Sequence, residues 1–138
     1  MIIRTTVVLL FLMQFCQGQD IAVLKYSGGG DWYSNPSALE NLAAFCNKEL
    51  NTNLSATPKV VTTSSIDIFE YPFLHMTGHG NVLFSEQDLE NLRAYLNSGG
   101  FLHIDDNYGM KPYVIKALDK LFPDKKMTEI QLSHPIYN

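Results

Sequence analysis

The stretch Gly99-Gly100-Phe101-Leu102-His103-Ile104-Asp105-Asp106-Asn107-Tyr108-Gly109 decides how the rest of the chain is read. Two glycines stop a helix. A short apolar strand follows, then an abrupt polar loop with two adjacent carboxylates. A strand of this kind is expected in the middle of a sheet. Carboxylates at the end of a buried strand are costly unless they face a cleft. In open α/β sheets that cleft lies outside the carboxyl ends of the strands. Two other apolar runs end alike. Residues 21–26 run into Ser27, Gly28, Gly29, Gly30 and Asp31, and residues 73–76 into Thr77, Gly78, His79 and Gly80. Three strands that stop in glycine and polar residues point to one shared site.

Helical patterns alternate with these strands. Asn35 with Pro36, or Ser37 with Glu40, can open a first helix, and Leu39, Leu42, Ala43, Cys46 and Leu50 recur on one face of it. Residues 59–62 read as a second strand, and 66–70 as either a helical turn or an extended connection. Ser85, with Asp88 three residues on, opens another helix with the stripe Leu89, Leu92 and Leu96. A helix over 113–121 and a fifth strand over 127–132 complete the pattern. Strand–helix alternation predicts a single α/β domain with a mainly parallel sheet and helices on both faces. Right-handed crossovers favour the strand order 2-1-3-4-5. The loops after strands one, three and four then become neighbours.

The chain has 138 residues, 46% hydrophobic and 17% charged, with a formal net charge of −4. This fits one globular domain and lacks the clustered Lys and Arg of a nucleic-acid surface. Residues 1–18 read as a signal peptide. Val7–Met13 is an apolar run too short to span a bilayer, and Cys16-Gln17-Gly18 offers small residues for cleavage. The remaining domain, 19–138, is expected to be exported, periplasmic or secreted, with no transmembrane span. Cys16 suggests lipidation, but Met13-Gln14-Phe15 lacks the small residues such a signal carries, so a lipoprotein is the weaker reading. Cleavage leaves one cysteine, Cys46, and hence no internal disulfide. Its place on the apolar helix face reads as packing rather than chemistry.

Several residues could carry chemistry. His103 and Asp105 are two apart and point to one side of a continuing strand, while Asp106 points the other way or into the loop. His79 follows the third strand. Asp105, Asp106, His79 and His103 are therefore the candidate catalytic residues, as general acids and bases or as ligands of a divalent metal. The spacing matches no recognised zinc pattern, and no cofactor is expected. His75 and His103 also read as hydrogen-bonded core residues, and the carboxylates as turn residues. Gly28, Gly29, Gly30, Asp31, Trp32, Tyr33, Gly78, His79, Gly80, Asn107 and Tyr108 are the candidate ligand-binding residues. The glycine spacing fits neither a dinucleotide-binding loop nor a P-loop. Trp32 could cover a ligand, plug its loop or meet a partner protein.

Three segments together resemble the bacterial domain-of-unknown-function 4159 family: residues 22–33, His75-Met76-Thr77-Gly78-His79-Gly80 and residues 99–106. The resemblance covers nearly all of the chain after the leader. It implies a flavodoxin-like three-layer sandwich similar to class I glutamine amidotransferases, and export. It implies also that the family continues past Asn138, so the chain is expected to be truncated at its C-terminus. In amidotransferase-like enzymes a nucleophilic cysteine follows a central strand. Asp105 and Asp106 stand at the comparable place here, and Cys46 cannot substitute, so thiol-based glutamine hydrolysis is not expected. The expected function is a non-catalytic domain that binds a small polar ligand or an envelope protein at the three-loop edge. The alternative is a hydrolase, metal-dependent or not, using Asp105 and Asp106 with His79 and His103.

Overall fold

The computed structural model describes residues 20–137. The signal-peptide reading of residues 1–18, Cys16 included, lies outside the described residues. Four strands form one parallel sheet: β1 (Ile21–Lys25), β2 (Lys59–Thr62), β3 (Phe73–His79) and β4 (Phe101–Tyr108), in the order β2-β1-β3-β4. Three helices cross between or follow them: α1 (Ala38–Glu49), α2 (Glu86–Asn97) and α3 (Lys111–Leu121). Residues Ile66–Glu70 form a 3-10 turn between β2 and β3. The α/β class, the parallel sheet and the relative order of the first four strands agree with the sequence pattern.

The pleat divides the strands into two faces. Ala22, Leu24, Leu74 and Met76 point to one face and are buried with Leu89, Leu92 and Tyr95 of α2 and Val114 and Leu121 of α3. Ile21 points to the other face and is buried with Leu39 and Ala43 of α1, with Val23 and Phe73 packed against them. Helix α2 starts as its sequence predicts. Ser85 Oγ accepts from the Asp88 N–H, and Asp88 returns a bond to the Ser85 N–H, closing a capping box. Gly99 ends it at φ 98°. The box predicted for Ser37 does not form. The Ser37 side chain makes no cap bond, and α1 begins at Ala38 after Asn35 turns at φ 57°.

Three expectations are corrected. First, β4 is an edge strand rather than a central one. Its residues are half-buried or exposed, since among the described residues only β3 pairs with it. Second, residues 127–132 form no strand beside it. Met127, Ile130 and Leu132 remain 64, 43 and 84% exposed and join neither buried core cluster. The described sheet therefore has four strands. Third, both polar runs continue their strands instead of breaking into loops. β3 extends to His79 and β4 to Tyr108, with one register shift between Gly78 and His79. Asp105 and Asp106 are strand residues, and the pleat sends them to opposite faces.

Candidate functional site

The carboxyl ends of β1, β3 and β4 are tied together by backbone and side-chain bonds. The Gly30 carbonyl accepts from the His79 N–H at 2.8 Å, Ser27 from Leu83 at 2.8 Å, and Tyr108 from Gly80 at 3.2 Å. Buried Tyr26 places its hydroxyl against the Gly30 carbonyl and 3.0 Å from that of Thr77. Burial, helped by the charge of Asp31, pushes the Tyr26 phenol up to about 12. The glycines serve this contact. A Cβ on Gly78, which sits at φ 149°, would lie 1.9 Å from the Gly30 carbonyl oxygen, and one on Gly30 would lie 2.5 Å from that of Asn81. Their backbones approach one another, which leaves no room there for a ligand to be cradled. Gly29 and Gly80 turn at the exposed side with open space where a Cβ would be.

The other residues named from the sequence are distributed as follows. Asp31 and His79 face each other, with Oδ2 to Nδ1 at 3.3 Å on the open edge. Asn107 links the β4 end to the first loop. Its Oδ1 accepts from Asn35 Nδ2 at 2.7 Å, and its Nδ2 donates to Ser34 Oγ at 3.0 Å. Tyr108 is exposed. Asp106 turns to the α3 side and accepts the N–H groups of Met110 and Lys111, both at 2.9 Å. It caps that helix, whose own first residues supply no side-chain cap. Asp105 is exposed on the opposite face, beside Thr77 in the β3–β4 register. Cys46 lies half-buried on α1, away from these loops. No group of three or more His, Cys, Asp or Glu among the described residues is placed to hold a metal ion.

The structure adds a feature that the sequence reading missed. On the α1 face, β3 and β4 place Phe73 beside Phe101 and His75 beside His103. The phenyl rings stack at 5.5 Å, and Phe73 also stacks on His103 at 6.0 Å. The two imidazoles have nearly parallel planes, 16° apart, with centroids at 5.1 Å and Nδ1 atoms at 2.9 Å. Each ring therefore turns its Nδ1 edge to the other. His75 is 6% exposed, and its Nε2 is buried with no hydrogen-bond partner among the described residues. Burial, reinforced by His103 and opposed by Asp105, holds His75 below the ordinary histidine range. The signal was present: Phe-Leu-His occurs at 73–75 and again at 101–103. In-register parallel pairing brings like residues side by side.

His75 also lines a cavity of about 180 Å³ between the sheet, the N-terminal end of α1 and the loop before it. Val23, Leu39 and Val60 form the apolar floor; Trp32, Tyr33 and Pro36 form the outer wall. Asn35 and Thr77 add polar groups, with Asn35 Nδ2 3.4 Å from Thr77 Oγ1. Nδ1 of His75 faces His103 on β4, while its Nε2 is enclosed by the surrounding protein. Trp32 is held edge-on to Tyr33 at 5.7 Å, with Lys25 Nζ 5.2 Å from its ring centroid. Of the residues expected to bind a ligand, Trp32 and Tyr33 reach this cavity.

No curated protein matches the chain. A family model described as "Domain of unknown function (DUF4159)" matches residues 20–138, the three glycine-bearing strand ends and the histidine pair included. The chain belongs to that family.

Proposed function

We propose that this protein is an exported domain that binds a small ligand, and that the ligand sits in the cavity under Trp32 and Tyr33. The observation that carries this reading is the cavity of about 180 Å³ itself, lined mainly by apolar groups with His75, Asn35 and Thr77 among its few polar residues. A few polar groups in an apolar hollow are the usual make-up of a ligand site. The volume suits a molecule of about benzene size or slightly larger, since a cavity of about 150 Å³ takes benzene. Trp32 acts here as a wall, with Lys25 across its ring, rather than as an anchor for a partner protein.

The finer parts of the proposal rest on the sequence. Val7–Met13 and Cys16-Gln17-Gly18 support export to the periplasm or beyond. An amidotransferase-like sheet is supported by the strand order β2-β1-β3-β4. The hydrolase reading retains one supporting arrangement, His103 and Asp105 on one face of β4. Asp106 is committed to α3 in either case.

Trp32 is the single tryptophan of the chain, so its emission reports on the cavity wall directly. A library of molecules with about six to twelve heavy atoms, titrated against that emission, should yield binders whose effect is abolished by Val23→Phe or Val60→Phe, which fill the floor. Binders insensitive to both substitutions would overturn the assignment of the cavity. For the hydrolase reading the check is metal content by elemental mass spectrometry, wild type beside Asp105→Ala. About one metal per chain, lost in the variant, would replace ligand binding with metal-dependent hydrolysis.

A further inference from the structure

Strands β3 and β4 lie side by side, and the helices that follow them pack on the same face of the sheet. Between residues 81–84, which lead from β3 into α2, and the side of α3 opens a second cavity, of about 170 Å³. It shares no lining residue with the cavity under Trp32, which lies on the opposite face. Buried Val82 and Leu89, with half-buried Phe84 and Ala117, give it an apolar floor. Lys116 and Lys120 of α3, both exposed, stand at its solvent side with Tyr113.

The two lysines are four residues apart on one helix, so like charges sit side by side at a cost to α3. Neither forms an ion pair or a hydrogen bond among the described residues. Arg93, one turn beyond Leu89 on α2, adds a further cation beside them. It donates to the carbonyls of Leu121 at 2.8 Å and Lys120 at 3.3 Å, which carry no formal charge to offset its own. This local excess of positive charge stands on a chain whose formal net charge is −4. We propose that this cavity is a second binding site, and that it takes a small organic anion, a carboxylate on a compact apolar or aromatic body. The carboxylate has one oxygen for each ammonium group, and the body removes the apolar floor from water. The volume is below the roughly 300–1,000 Å³ of drug-sized pockets, too small for a nucleotide. It suits a single ring, since a cavity of about 150 Å³ takes benzene. Inorganic phosphate would meet the ammonium groups and leave the floor wet.

The test separates place from charge. Benzoate, its uncharged isostere benzamide and inorganic phosphate are each titrated against the protein by methyl NMR. Benzoate should shift the Val82, Leu89 and Ala117 methyl signals along a saturating curve. Benzamide should bind about tenfold more weakly or worse, and phosphate should leave those signals in place. Lys116→Gln and Lys120→Gln, both at exposed positions, should keep the unfolding midpoint of the wild type. Each should weaken benzoate about three- to tenfold, the worth of one partly exposed charged contact, and leave benzamide unchanged. Benzoate that moves none of the three methyl signals, or moves only those of Val23, Leu39 and Val60 in the cavity under Trp32, overturns the site. Equal binding of benzoate and benzamide, or benzoate binding untouched by both substitutions, overturns the choice of an anion. Phosphate acting as strongly as benzoate overturns the apolar body and leaves a patch that attracts any anion. The cavity under Trp32 is read by other residues, so its fate does not decide this one.

Discussion

The two faces of the sheet are made by the same strands, residue by alternate residue, yet they differ in how completely they are closed. On the α2 and α3 side, Ala22, Leu24, Leu74 and Met76 meet two helices and are almost wholly buried. On the α1 side one helix covers only part of the sheet. Phe101 remains 44% exposed, His103 and Asp105 are open, and a cavity separates Val23 and His75 from the overlying loop. The closed face holds most of the buried apolar core, and the open one carries the proposed ligand site under Trp32. Polar atoms show the same division. Asp106, which points to the closed face, has two backbone partners; His75, on the open face, has a buried nitrogen with none among the described residues.

This contrast can be broken at stated points. The largest loss is expected at Gly78→Ala. The new Cβ would meet the Gly30 carbonyl and, at 2.1 Å, the Tyr26 hydroxyl, at a backbone angle that side chains rarely adopt. Denaturant unfolding should show a loss of more than about 4 kcal/mol or no folded protein. Next, Leu74→Ala on the closed face should cost about 2–5 kcal/mol. Phe101→Ala, on the open face, should cost less than about 2 kcal/mol because much of its ring is already in water. Equal losses would remove the distinction between the faces.

The carboxylates sharpen it further. Asp106→Asn should lower stability by about 1 kcal/mol through a weakened cap on α3, whereas Asp105→Asn should leave the unfolding midpoint nearly unmoved. The smallest effect is expected on acidification. His75 is held below its unfolded value of about 6.5. The unfolded chain therefore binds the proton first. The stability present above about pH 6.5 is lost as pH falls from there through the depressed folded value. Urea midpoints at stepped pH should show that decline, and His75→Leu should remove the share due to this residue. A decline of the same size in the variant would assign it to other groups.

Much of this architecture was legible because local chemistry and tertiary role coincide. The Ser85–Asp88 box, the Gly99 stop and the stripe Leu89, Leu92 and Leu96 describe one helix whose buried face needs a sheet. The site was less legible. The glycines at 28, 30 and 78 look like ligand-facing glycines, because close approach to a ligand and close approach to another loop require the same missing Cβ. His75 looked like a satisfied core residue, and one of its two nitrogens is satisfied.

By itself the sequence determined the α/β class, the parallel order of the first four strands and the meeting of three strand ends. These follow from hydrophobic period and crossover handedness, which each segment carries within itself. Only the tertiary structure decided that β4 is an edge, that it runs on through Asp105 and Asp106, that the glycines pack on one another, and that the His75 and His103 rings meet edge to edge. Each of these depends on which residue of one strand lies opposite which of another. That register is set by the whole packed sheet rather than by any one stretch of chain.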